Sequence, residues 1–189
     1  KLDGCTNFEI LNTKTTGDIN DLPKSLLRVV IWGNGRAGSA SCANTLSGNI
    51  ANTPPLATAI SIIGNNTLTG DIADLPTPPG IANGYDISLY GQNTVWGDIA
   101  NLPTGVSLPA HYAIVRLLGN NTVTGDIDNL PLDYTYVDIA GCPDNVHTGP
   151  TGNTIYGNIS NINPAMLNFN VRGNNTLTGV ISGVPSFTS

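Results

Sequence analysis

Gly64-Asn65-Asn66-Thr67-Leu68-Thr69-Gly70-Asp71-Ile72-Ala73-Asp74-Leu75-Pro76 recurs, with small changes, seven times along the chain. Aligned on its second glycine, the copies carry Gly17, Gly48, Gly70, Gly97, Gly125, Gly157 and Gly179. Two residues later every copy has isoleucine: Ile19, Ile50, Ile72, Ile99, Ile127, Ile159 and Ile181. Six after the glycine come Pro23, Pro54, Pro76, Pro103, Pro131 and Pro185; the sixth copy has Asn163 there and its proline one later. Four before the glycine stand Asn44, Asn66, Asn93, Asn121, Asn153 and Asn175, with Thr13 in the first copy. The glycines are 31, 22, 27, 28, 32 and 22 residues apart. Repeats of this length are too small to bury their own apolar side and must stack on their neighbours. No boundary interrupts the series, so residues 1–189 read as one domain.

Ahead of each copy runs a strand signal with period-two alternation. Its apolar pairs are Val29/Ile31, Ile60/Ile62, Ile87/Leu89, Val115/Leu117, Val137/Ile139 and Phe169/Val171, with Phe8/Ile10 opening the series. An earlier anchor is expected three residues upstream at Leu26, Tyr112, Tyr134 and Met166. Within the motif, the asparagine is suited to a buried ladder that satisfies backbone groups of its own and adjacent turns. Leu46, Leu68, Val95, Val123, Ile155 and Leu177 should point inward. Asp18, Asn49, Asp71, Asp98, Asp126 and Asn158 repeat once per coil, with Val180 in the seventh copy. Stacked carboxylates repel, so capping of the following Ile-x-x-Leu turn is the expected compensation. A cation held between coils is the alternative.

These residues resemble the leucine-rich repeat, in particular the kind whose second half runs Leu-x-Gly-x-Ile-Pro. The resemblance covers essentially the whole chain. It departs in one extra residue between strand and asparagine, and in a proline that follows Leu four residues after the Ile. It implies a mainly β, right-handed solenoid of about seven coils with a parallel sheet and little α-helix. Short second strands are implied at Thr-x-Thr-Gly-Asp-Ile, with 3₁₀ turns near Asp-Leu-Pro. Asn-Thr-x-Thr-Gly-Asp-Ile-x-x-Leu-Pro arrays are similar to those of bacterial surface proteins and their phages. That similarity implies an extracellular, cell-surface or virion-surface setting.

Composition narrows the partners. The net charge is −6 and only 11% of the 189 residues are charged. Without clustered Lys or Arg, nucleic acid is disfavoured. No apolar run approaches a membrane span. Lys1 reads as a processed or trimmed start, and the last copy stops where a next strand should begin, which would leave an edge open to assembly. Cys5, Cys42 and Cys142 make an odd count. A Cys5–Cys42 bridge between neighbouring coils and three unbridged thiols are both open, whereas Cys142 lies about four coils further on, roughly 19 Å away.

Function should reside where the copies differ. Loop insertions are expected at 34–43 and 142–152. The outward row Trp32, Ile63, Tyr90, Leu118, Ala140 and Arg172 is mostly apolar, and Arg116 stands in the row beside it. We expect Trp32, Ile63, Tyr90, Leu118, Arg116 and Arg172 to bind a protein or a cell-surface glycan, unless connectors fold over them. Self-association through the same stripe and the open ends, as a structural surface protein, is the competing reading. A second array, Thr45, Thr67, Thr94, Thr122, Thr154 and Thr176, resembles the face of solenoid ice-binding proteins, although Trp96 and Tyr156 interrupt the row beside it. The plainer reading of that array is β-propensity and side-chain ladders. Asn65, Asn120, Asn158 and Asn174 begin Asn-x-Ser/Thr triplets, which the repeat itself generates. His111 and His147 lie in connectors, and no nucleophile, base or metal-spaced cluster is visible. No enzymatic activity and no metal or cofactor are expected.

Overall fold

The computed structural model describes residues 4–33, 44–78, 84–105, 112–140 and 152–179. Both expected insertions fall outside these residues, apart from Gly152, as do Cys42, Cys142 and the two histidines. Cys5 is unbridged, and its half-buried thiol donates to the Asn7 carbonyl.

The chain is mainly β. Its strands are β1 (Asn7–Thr13), β2 (Thr16–Asp18), β3 (Arg28–Gly33), β4 (Thr45–Asn49), β5 (Ala59–Asp71) and β6 (Tyr85–Asp98). They continue as β7 (Ala113–Gly119), β8 (Thr122–Asp126), β9 (Tyr134–Ala140), β10 (Thr154–Asn158), β11 (Asn168–Val171) and β12 (Thr176–Thr178). No α-helix occurs among the described residues; the helical pieces are six 3₁₀ turns, each opening at a repeat isoleucine from Ile19 to Ile159.

Two parallel ladders organise these strands. The first runs β1-β3-β5-β6-β7-β9-β11 and the second β2-β4-β5-β6-β8-β10-β12. β5 and β6 pass through both, with a register break between Ile63 and Asn66 where the chain turns from one to the other. In the first ladder equivalent residues pair directly: Val29 with Ile60, Ile60 with Ile87, Ile87 with Val115, Val115 with Val137 and Val137 with Phe169. The second ladder is staggered. Ser47 pairs with Thr67, Thr69 with Thr94, Trp96 with Thr122 and Tyr156 with Thr176. Each strand is therefore two residues out of step with its neighbour.

One continuous core joins the inward residues of both ladders to the turn isoleucines. The expected strand pairs from Val29/Ile31 to Val137/Ile139 are all buried, as are Leu46, Leu68, Val95, Val123 and Ile155. Leu177 departs from the expectation at 38% exposed. It lies on β12, which among the described residues pairs with β10 alone. The upstream anchors Leu26, Tyr134 and Met166 are buried, but Tyr112 is 58% exposed. This coil and the one before it place the anchor one residue later, at Ala113 and Tyr85, both buried. Ala113 pairs with Tyr85 on one side and Tyr134 on the other. The two rings meet edge to face with centroids 6.4 Å apart, and the small alanine between their strands leaves space for them.

Asparagines, five buried and the half-buried Asn175, tie coil to coil. The Oδ1 atoms of Asn44, Asn66, Asn93, Asn121, Asn153 and Asn175 accept from the amides of Thr15, Leu46, Leu68, Val95, Val123 and Ile155. Each donor lies in the preceding coil, at 2.9 to 3.1 Å. Three of the amide nitrogens complete the link: Asn44 Nδ2 donates to Ile63 O at 3.4 Å, Asn66 Nδ2 to Tyr90 O at 3.1 Å and Asn153 Nδ2 to Arg172 O at 3.0 Å. Asn121 instead turns back to Leu117 O in its own coil, and Asn93 Nδ2 has no partner among the described residues. A buried amide left unpaired costs more than a typical paired one gains, so repeating this residue at each coil junction pins the stacking.

The Asp/Asn row caps the 3₁₀ turns. Oδ1 of Asp18, Asn49, Asp71, Asp98, Asp126 and Asn158 accepts from the amide two residues on, at 2.9 to 3.0 Å. The invariant glycine follows from this cap. Gly97 has φ +124°, and a Cβ there would overlap Asp71 Oδ1 and crowd Ile72. Its requirement is set by the preceding coil.

Candidate binding surfaces

Alternation along the first ladder sends every second residue outward, and the direct register sets these residues in rows. Leu11, Trp32, Ile63, Tyr90, Leu118 and Ala140 pair in succession across six strands. Leu11 and Trp32 are 43% and 44% exposed; Ile63, Tyr90 and Leu118 are half-buried, and Ala140 is buried. The stripe is thus open at the β1/β3 end and becomes progressively covered toward β9. Trp32 is held by its Nε1–H, which donates to Ser61 Oγ on the next strand at 2.8 Å.

The adjoining rows are mixed, with Val30, Ala59 and Ile114 standing among polar residues. Arg116 Nη1 donates to Ser88 Oγ at 3.0 Å and lies 3.4 Å from Asp86 Oδ1, while the Ser88 hydroxyl donates to that same carboxylate oxygen at 2.8 Å. The Arg116 guanidinium also stacks 4.5 Å from the centre of the Tyr136 ring, a cation–π geometry. On the next two strands Asn170 Nδ2 donates to Asp138 Oδ1 at 2.9 Å. Burial raises the Asp138 pKa, opposed by Arg172 and Arg116 and by the Asn170 hydrogen bond. Burial likewise raises the Tyr90 pKa, with Arg116 acting in the opposite sense. Tyr90, Arg116, Asp138 and Arg172 therefore share one electrostatic neighbourhood, although successive members are 22 or more residues apart in sequence.

The structure brings Trp32, Ile63, Tyr90 and Leu118 into one row, sets Arg116 in the row beside it, and places the exposed Arg172 just past β11. Asp86 and Tyr136 were not expected there. They belong to the outward row one alternation earlier, and extending the same period-two reading upstream by two residues finds both, Asp86 from Ser88 and Tyr136 from Asp138. The register shift at Ala113/Ile114 acts further upstream, where Ala113 pairs with Tyr134 and Thr135 is skipped.

The second ladder presents the threonine array. Thr45, Thr67, Thr94, Thr122, Thr154 and Thr176 are all exposed, as are Thr16, Ser47, Thr69, Trp96, Thr124, Tyr156 and Thr178. The stagger pairs the second row of each coil with the first row of the next, giving Thr16/Thr45, Ser47/Thr67, Thr69/Thr94 and Thr124/Thr154. Trp96 and Tyr156 occupy the same outward position in alternate coils, 43% and 50% exposed. Two large rings at these positions break the even spacing that a match to an ice lattice requires.

Among the described residues no group of His, Cys, Asp and Glu is placed to hold a metal ion, and no helix is long and apolar enough to cross a membrane. Compared with protein-family models, curated proteins and solved structures, the chain matches none.

Proposed function

We propose that the chain is a right-handed, seven-coil solenoid of the leucine-rich-repeat kind. On this reading it serves as a non-catalytic recognition module outside the cell, on a cell or virion surface, and binds a protein through the outer face of its first ladder. The observation that carries this is the Leu11–Trp32–Ile63–Tyr90–Leu118 row lying beside the Asp86–Ser88–Arg116–Asp138 network. Apolar and aromatic side chains beside an anchored arginine are the composition of protein-binding hot spots, which favours a protein over a glycan on this face. The threefold anchoring of Arg116 lowers the entropy lost when a partner docks on it.

The exposure of Leu11 and Trp32 at the first strands of the ladder favours a second reading, in which the partner is another copy of the chain. Sedimentation across a concentration range, with the wild type and Trp32→Ala, separates the two. Concentration-dependent association abolished by the substitution makes this a self-assembly surface. A monomer that captures a surface protein from its environment, and loses it in Trp32→Ala and Tyr90→Ala, supports recognition. Capture unchanged in both variants removes this face from the function.

A further inference from the structure

The face of the second ladder carries an independent observation. We propose that Trp96 and Tyr156 form a platform for an extended, neutral polysaccharide, with the threonine hydroxyls between them as its hydrogen-bonding floor.

The argument begins with what the scaffold requires. The position before the repeat glycine is Thr or Ser in five of seven copies, and all seven side chains there are exposed. Packing does not call for a ring at either exception. Trp96 and Tyr156 leave 43% and 50% of their surface in water, where an aromatic side chain gains little from folding. Both project from the same side of one parallel ladder. Trp96 pairs with Thr122, Thr124 with Thr154, and Tyr156 with Thr176.

Spacing and chemistry then choose the ligand. The rings stand two strands apart, about 10 Å across the ladder, and two staggers of two residues displace them by about 13 Å along it. A straight polymer several sugar rings long spans both, whereas a monosaccharide reaches one. The apolar C–H faces of β-linked sugars stack on aromatic rings, and their hydroxyls pair with the donor–acceptor hydroxyls of Thr122, Thr124 and Thr154. Charge excludes the polyanions. No Lys or Arg lies on β6, β8, β10 or β12, while Asp98 and Asp126 sit at the strand ends with one oxygen of each engaged in a turn cap. A protein partner would find here neither an apolar core nor an arginine anchor.

The test is a depletion assay on four insoluble polysaccharides: cellulose, chitin, mannan and β-1,3-glucan. Soluble polygalacturonate serves as the charged comparison. Trp96→Thr and Tyr156→Thr restore the residue that the repeat uses elsewhere, so the fold is preserved. The wild type is expected to bind at least one of the four. Each single variant should weaken that binding several-fold and the double variant more than ten-fold, whereas Trp32→Ala should leave it unchanged. The proposal is overturned by no wild-type binding to any of the four, or by a double variant that binds as the wild type does. Equal binding to polygalacturonate, or a loss in Trp32→Ala as large as in the double variant, overturns it too. None of these outcomes bears on capture of a protein by the first ladder.

Discussion

The side chain of Asp71 fills the space in front of Gly97. Its Oδ1 accepts from the Ala73 amide to cap a 3₁₀ turn, and that same oxygen stands where a Gly97 Cβ would project. The cap of one coil thus dictates the glycine of the next. Gly17 supports this reading: among the described residues nothing lies within 4 Å of a Cβ built there, and β2 pairs only with the following β4.

Gly97→Ala should therefore combine a steric clash with an unfavourable φ, at a cost of about 3 kcal/mol. Gly17→Ala has only the backbone term, about 1–2 kcal/mol. Chemical denaturation of both variants measures the difference, and equal losses would show that the preceding coil does not set the requirement.

Asn66 and Asn93 provide a paired comparison. Asn66 closes both of its links, to Leu46 N and Tyr90 O, while Asn93 closes only the link to Leu68 N. Asn66→Ala should be more destabilising than Asn93→Ala by about 1 kcal/mol, the net worth of one buried hydrogen bond. A larger loss at Asn93 would mean that its amide nitrogen is satisfied by a bridging group.

The two core tyrosines should respond differently to loss of their hydroxyls. Tyr85 OH donates to Pro76 O at 3.0 Å, whereas the buried Tyr134 OH has no partner among the described residues. Tyr85→Phe should lower stability by about 1 kcal/mol, and Tyr134→Phe should leave it unchanged or raise it. Thermal melts of the two variants decide this without any ligand.

Asp138 gives a pH signature. Burial raises its pKa above the usual carboxylate value, so the folded chain holds that proton more tightly than the unfolded chain. Its stabilising contribution is complete below the unfolded pKa and is lost as pH rises through the folded one. Asp138→Asn keeps an acceptor for Asn170 and carries no charge. At neutral pH it should melt no lower than the wild type, and any advantage should vanish on acidification below the ordinary Asp range. A clear drop in Tm at pH 7 would show that the attractions to Arg172 and Arg116 outweigh burial.

Periodicity alone determined much of this protein. Seven aligned copies located the strands, the buried pairs from Val29/Ile31 to Val137/Ile139, the asparagine ladder and the Asp/Asn caps. Each of these is dictated within one coil or repeated identically at every junction, so the sequence displays it many times over. What occurs once is not amplified in that way, and it waited for the tertiary structure. The one-residue shift of the anchor from Tyr112 to Ala113 depends on two tyrosine rings that meet across the strand between them. The network around Arg116 joins Asp86, Ser88 and Tyr136 from two other strands. The two-residue stagger of the second ladder sets Trp96 beside Thr122 and Tyr156 beside Thr176, because backbone geometry between coils fixes lateral register and no residue spacing within a coil encodes it.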